Sequence, residues 1–339
     1  MVSESTNYRF SEGIVSLFEK KNESATNENV EVKLPYRLIR FMKGRVWGYA
    51  VSVFAILLSL FFVYSKGFNW GLDFTGGTVI DMSFSQPAEL DKVRSTLENN
   101  GIQSAIVQNS GSVRDIIIRL PAAVSDANLG NNVKQMMANN IDPNVTVHSI
   151  EFVGPNVGEE LTQSAIYATL ATLLMLLAYI GLRFEWRLAV GAIASLAHDV
   201  IVTLGLFSLF QIEIDLTFVA AILTVVGYSL NDSIVVFDRV RENMRKIRRT
   251  EVIDIIDISL SQTLSRTLMT SATTVIVVVS LLVFGGPSIH SFSVALLIGI
   301  GFGTYSSIFV AIALAYDLGL KREHMLPPKV DKDDIDDLP

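Results

Sequence analysis

One acidic side chain stands where lipid is expected. Between Leu216 and Asn243 the chain reads LTFVAAILTVVGYSLNDSIVVFDRVREN, and Asp232 arrives before the apolar run has ended. A carboxylate inside a spanning helix costs several kcal/mol unless it faces protein, water or a partner charge. Chains keep such groups mainly where an ion or a substrate passes, so Asp232 is the first candidate for chemistry, and that chemistry is proton binding and release. If the helix leaves the membrane at the charged cluster Asp238, Arg239, Arg241 and Glu242, Asp232 lies about 9 Å inside that boundary, at 1.5 Å per residue. The competing reading is an interfacial carboxylate that snorkels to water or caps a neighbour.

Arg266 opens the next apolar run at a comparable depth. Thr270, Thr273 and Thr274 follow it at i+4, i+7 and i+8 and continue one helical face. An Asp232–Arg266 pair held by those hydroxyls would let both charges remain in the membrane. Protonation would cancel one charge, release Arg266 and favour another helix arrangement. A proton crossing 100 mV contributes about 2.3 kcal/mol, a bias of roughly fiftyfold on a conformational equilibrium. Asp199, beside His198, is the second proton-coupling candidate. Counted from Arg187 it lies about 18 Å deep, and Ser195 and Thr203 share its face one turn either side. Its competing reading is a carboxylate hydrogen-bonded for packing, and His198 reads more readily as a packing residue than as a relay.

A third motif is Gly71-Leu72-Asp73-Phe74-Thr75-Gly76-Gly77, just past the first apolar run. Three glycines in seven residues permit tight backbone with positive φ where helix becomes sheet. It reads as a rigid turn and, in a moving protein, as a hinge. No phosphate loop, HExxH or spaced serine–base pair occurs, and with no cysteine there is no thiol chemistry or cysteine-ligated metal. No metal, cofactor, nucleic acid or hydrolytic site is therefore expected, and the chain reads as no enzyme.

The elements that must hold these residues follow from hydropathy. Half of the 339 residues are hydrophobic and 18% are charged, with a mean hydropathy of +0.42. The apolar residues gather into six runs, each long enough to cross a hydrocarbon core of about 30 Å: Val46 to Tyr64, Leu161 to Leu182, Leu188 to Phe210, Leu216 to Phe237, Leu264 to Phe284 and Ile289 to Tyr316. The expected organisation is a tail over 1–45, a first span over 46–65, an exported domain over 66–157, spans two to six over 158–318 and an acidic tail over 319–339. Within the exported stretch, Thr78 to Ser85, Ser104 to Gln108, Val113 to Leu120 and Val145 to Val153 read as strands. Ala88 to Asn99 and Asp126 to Asn139 read as helices, the second capped by Ser125 or Asp126. That order, βαββαβ, is the one of an α+β ferredoxin-like sandwich. Small residues in span six (Gly299, Gly301, Gly303, Ser306, Ser307) read as close helix packing.

Basic residues in short loops fix the orientation. Arg183 and Arg187, the cluster from Arg239 to Arg249, and Lys321 with Arg322 lie on one side, whereas Gln211 to Asp215 and Gly285 to Ser288 carry no Lys or Arg. Both termini are expected in the cytoplasm and the βαββαβ domain on the far side of the membrane. The first run, behind a long polar lead, reads as an uncleaved anchor. Leu34 to Arg45 reads as an amphipathic turn on an anionic lipid surface or as a plain basic flank. The tail, with Asp331, Asp333, Asp334, Asp336 and Asp337, reads as a solvated end.

Taken together, Asn69 to Gly77, Ala197-His198-Asp199-Val200, Gly227 to Val236, Asp238 to Asn243 and Ser265-Arg266-Thr267 resemble the SecF family of protein-export subunits. The resemblance runs from about Phe68 to Leu320. It implies a polytopic six-helix half of a 12-helix assembly resembling resistance-nodulation-division (RND) transporters, with SecD as the other half. It also implies use of the proton motive force to complete preprotein translocation, beside the SecYEG channel and YajC, with proton-transport roles at Asp232 and Arg266. An insert of roughly 90 residues fits SecF and not SecD. The alternatives are half of a proton-driven exporter of small molecules or lipids, favoured by two large exported domains, and a scaffold that transports nothing.

Overall fold

The computed structural model describes residues 38–103, 105–110, 112–121, 129–247 and 250–325. The head before Leu34, the tail aspartates and the cap at Ser125 or Asp126 lie outside these residues. Two compact units emerge: Phe68–Thr172 with Gln211–Val219, and the remainder.

A 3-10 turn over Phe41–Gly44 leads into α1, Arg45–Lys66. Leu38, Ile39, Arg40 and Lys43 are exposed here, while the turn is anchored from beneath. Met42 is buried, its amide donates to the Asp257 carboxylate at 2.8 Å, and the Ile39 amide donates to Ser261 Oγ at 3.0 Å. The backbone donors that a helix start leaves open are thereby met by side chains from elsewhere in the chain.

The lobe begins with β1, Asn69–Trp70, and a one-turn helix α2, Leu72–Thr75. There follow β2 (Gly77–Ser83), α3 (Leu90–Asn99), β3 (Ile106–Ser110), β4 (Ser112–Leu120), α4 (Leu129–Asn140) and β5 (Thr146–Val153). The four long strands form one antiparallel sheet in the order β3-β4-β2-β5. Alternation explains which face is covered: Ile80, Met82, Ile116 and Ile118 point to the side where Val93 and Leu97 of α3 and Val133 and Met137 of α4 complete the core. Burying each such side chain contributes about 1.5–3 kcal/mol.

Next come α5 (Pro155–Arg183), α6 (Trp186–Phe210), the two-residue β6 (Glu213–Ile214), α7 (Leu216–Lys246) and α8 (Val252–Phe284). The strand β6, which lies beyond the expected domain, pairs in parallel with β1 inside it to make a second small sheet. The last span is built in three pieces: α9 (His290–Ser306), a π-helical turn over Ser307–Ala311, and α10 (Ile312–Asp317). Among the described residues six helical segments are long and apolar enough to cross a membrane.

Two helices outrun their expected lengths. Hydropathy stops α7 at Phe237, yet it continues to Lys246. It starts α8 at Leu264, yet that helix begins at Val252, so Arg266 sits in its interior and not two residues from its end. In the membrane unit α6 is central, packing against α1, α9 and the π turn. The final span is 61% buried over its most apolar window and α5 only 6%.

Candidate functional site

α7 is fixed at its start by two carboxylates. Asp215 Oδ1 accepts from the Phe218 amide at 2.7 Å and from Thr217 Oγ1 at 2.8 Å, and Asp73 Oδ2 accepts from the Leu216 amide at 2.8 Å. Acidic groups at a helix start satisfy open amides and complement the dipole. Asp73 belongs to the glycine motif. Gly71 donates to the Ile214 carbonyl at 2.7 Å, and a Cβ on Gly71 would lie 2.8 Å from that same oxygen. Gly76 and Gly77 have φ of 65° and 126°, where L side chains are strained. Gly71 and Asp73 thus hold the start of α7, while Gly76 and Gly77 turn the chain from α2 into β2.

Along α7 the buried residues recur as Val225 and Val226, Ser229 and Leu230, Asp232 and Ser233, Val236 and Phe237, then Val240. That is the stripe of a helix facing protein, and Asp232 is in it. Its side chain is 2% exposed, and its Oδ2 is buried with no hydrogen-bond partner.

The anticipated Asp232–Arg266 ion pair is not formed. Arg266 is near enough for its charge to act on Asp232, yet among the described residues neither a hydrogen bond nor an ion pair joins the two. Arg266 is exposed and lines a cleft of about 310 Å³ with Asp238, Arg239, Glu242 and Gln262. Nor do the threonines hold the pair. Thr270 and Thr273 are exposed and Thr274 is half-buried, and all three donate to carbonyls of their own helix, those of Thr267, Met269 and Thr270. Arg266 continues the line of Ile255, Ser259 and Thr263 along α8, at i+11, i+7 and i+3, but falls where that line has become exposed.

Asp199 is the opposite case. It is 1% exposed, and its Oδ2 accepts from Ser229 Oγ of α7 at 2.6 Å and from Ser306 Oγ of α9 at 2.8 Å. Oδ1 meets His198 Nδ1 at 2.9 Å. Ser195 Oγ donates to Ser306 Oγ at 2.8 Å, and Thr203 Oγ1 to the Asp199 carbonyl at 2.7 Å. His198 keeps one buried ring nitrogen, Nε2, without a partner. A Cβ on Gly303 would lie a tight 3.2 Å from Ser229 Cβ, so the glycine leaves room for that serine beside Asp199.

Ser229 and Ser306 were not legible as site residues; Ser306 read as packing. The one available signal was Ser229 lying three residues before Asp232, on the same face. Among the described residues no group of three or more His, Cys, Asp or Glu could hold a metal.

A family model described as the C-terminal region of protein-export membrane protein SecD/SecF matches residues 132–321, and one for the SecD/SecF GG motif matches residues 61–88. The protein translocase subunit SecF of Haemophilus influenzae is 68% identical over 308 residues, covering 91% of this chain and 94% of that one. The chain belongs to the SecF family. Other SecF proteins agree: that of Vibrio alginolyticus is 52% identical, covering 89% of this chain and 98% of its own, and that of Escherichia coli O157:H7 is 50% identical, covering 87% and 93%. The crystal structure of SecDF from Thermus thermophilus, a translocon-associated membrane protein, matches with a TM-score of 0.76 at 34% identity over 89% of this chain. SecDF in a super-membrane-facing form matches with 0.62 at 34% identity over 88%. The chain spans 41% of each SecDF chain. As a SecF protein it is a multi-pass membrane subunit of protein translocation, and the exporter of small molecules or lipids is not favoured.

Proposed function

We propose that this SecF protein converts proton flow into movement that helps draw preproteins across the membrane. The observation that carries the reading is Asp232: buried in an apolar span, with an acceptor oxygen that no neighbour satisfies. An unmet buried acceptor is costly when charged and relieved when protonated, so the two states favour different surroundings for α7. α7 starts at a knot made by the glycine motif and runs unbroken through Asp232 to Lys246, so displacement at Asp232 is felt at its capped end. Asp199, Ser229 and Ser306 form a hydroxyl-lined acid one helical turn from Asp232 and serve as the second proton-coupling group. Arg266, at the cleft, supplies the countercharge that Asp232 meets in another arrangement of α7 and α8.

In this reading the strand order β3-β4-β2-β5 makes the lobe a ferredoxin-like domain on the periplasmic side, both termini are cytoplasmic, and no hydrolytic site is needed. SecD covers the apolar flanks that α5 leaves open, which the fused SecDF relatives support. SecYEG, YajC and the unfolded preprotein complete the partners, with lipid around the spans. That two SecDF forms match this chain with unequal TM-scores at equal identity supports an architecture with more than one arrangement.

The test is preprotein translocation into vesicles holding SecYEG, SecD and this chain, with and without a proton gradient. Asp232→Asn should assemble normally and lose the stimulation by the gradient. Unchanged stimulation in that variant would sink the proton reading, and loss of assembly would favour the scaffold.

A further inference from the structure

A second cleft, of about 400 Å³, lies where α5 ends beside the last turns of α7. Its walls are Arg183, Asp238, Arg241, Glu242, Arg245 and Lys246: four cations against two carboxylates. The last five come from α7 at i, i+3, i+4, i+7 and i+8, which is one helical face. Both carboxylates are engaged, Asp238 by Arg183 at 3.1 Å and Glu242 by Lys246 at 2.7 Å. Arg241 is half-buried and makes no hydrogen bond or ion pair among the described residues. Arg245 donates through its Nε, to the Met325 carbonyl at 3.1 Å, and its terminal nitrogens have no partner among the described residues. The cleft therefore holds positive charge in excess, with two guanidinium forks one helical turn apart.

What adjoins the cleft decides which anion it suits. α5 reaches it with almost no protein around it, only 6% of its most apolar window being buried. Leu170 and Leu174 are exposed along that helix, and Leu182, directly before Arg183, is 90% exposed. Just beyond, Trp186 is exposed with the Arg187 guanidinium 4.6 Å from its ring centre, and that of Arg183 lies 4.9 Å from the ring centre of Phe184. An indole at the end of an apolar span marks the level of lipid headgroups. The cleft thus opens at headgroup depth, at the foot of a helix clothed in leucine. A soluble anion gains nothing from those leucines, whereas an amphiphile can use leucines and arginines together.

We infer that this cleft binds one anionic phospholipid, its phosphate taken by Arg241 and Arg245 and its acyl chains laid along α5. Guanidinium forks match phosphate oxygens two at a time, and basic pockets between spanning helices suit anionic headgroups. A zwitterionic headgroup brings a cation of its own, which the excess positive charge opposes. Selection therefore follows headgroup charge, and the bound lipid pins the end of α7 to the bilayer surface.

The test is native mass spectrometry of the full chain, alone and with SecD, from micelles holding equal amounts of phosphatidylglycerol and phosphatidylcholine. The chain alone should retain one phosphatidylglycerol, preferred at least about fivefold, and SecD should leave it bound. Arg241→Gln breaks no described bond and should cut that retention at least about fivefold. Arg241→Lys, which keeps the charge and loses the fork, should recover part of it. Removing two exposed cations outside the cleft, by Lys43→Gln with Lys321→Gln, should change retention less than about twofold. No preference in the unaltered chain, or an equal loss in that control, would overturn the inference in favour of diffuse surface charge. Displacement of the lipid by SecD would overturn it by giving the cleft to a protein partner. Inorganic phosphate retained as well as the lipid would do so by making the acyl chains irrelevant.

Discussion

Asp199 and Asp232 are both buried carboxylates in apolar helices, and their surroundings could hardly differ more. Asp199 receives two hydroxyls and an imidazole, from three helices in all. Asp232, one turn along α7 from the serine that serves Asp199, has a buried oxygen that nothing serves. A satisfied buried acid holds helices in register, and removing it strands every donor aimed at it. An unsatisfied one contributes little to the ground state and is free to change its bonding. The contrast separates cement from switch on geometry alone.

The largest expected effect is on the switch. Asp232→Asn should cut gradient-driven translocation by up to about fiftyfold, the leverage of one proton at 100 mV, while the unfolding midpoint in detergent stays level or rises. Asp199→Ala should do the reverse to stability. It leaves Ser229, Ser306 and His198 without their acceptor and should cost about 3–5 kcal/mol, read as a lowered thermal midpoint. If Asp232→Asn destabilises more than Asp199→Ala, the division of labour is wrong.

Smaller changes sharpen it. Arg119 and Glu213 form an ion pair that links β4 to the β1–β6 ladder. Burial raises the Glu213 pKa against the pull of that arginine, so Arg119→Ala should destabilise the lobe by about 1–3 kcal/mol, and a Glu213→Gln second change should recover part of the loss. Ser306→Ala should cost about 1 kcal/mol, visible as a modest fall in midpoint, since one donor is lost and Ser229 remains.

The slightest effect concerns pH. Hydrogen bonds from Ser85 Oγ, then from the Asn144 and Ser85 amides, hold the Asp142 carboxyl below the usual range. A depressed pKa means stabilisation that is complete above the unfolded value near 3.9 and lost as pH falls through the folded value. Circular-dichroism melts from about pH 6 to about pH 2 should therefore show Ser85→Ala below the native chain at the upper end and converging with it at the lower.

Much of this architecture was legible in the sequence because it rests on lengths and periods. Six apolar runs were set against one bilayer thickness, and the alternation at Ile80, Met82, Ile116 and Ile118 marked a sheet with one covered face. Asp232 and Asp199 stood out because charge in such runs is rare. What hydropathy could not supply was where α8 begins. Its opening turns, from Val252, are as helical as its more apolar ones, so Arg266 falls in the interior of the helix and not near its end. Nor does a local pattern reveal partners such as Ser306, 107 residues from Asp199, or strands of two residues such as β1 and β6, which are too short to show a period.

The wide turn at Ser307–Ala311 has a further consequence. In an unbroken α-helix, residues five apart point about 140° away from each other. Yet Ser306 and Ala311 both reach α6: one bonds Asp199, and the carbonyl of the other would lie 2.2 Å from a Cβ on Gly191. A π turn takes in an extra residue and narrows that angle, so both ends can engage one neighbour at once. Removing a single residue between them would restore an ordinary helix and force the span to surrender one grip or the other. The slack in that turn is what lets one helix clasp its neighbour twice.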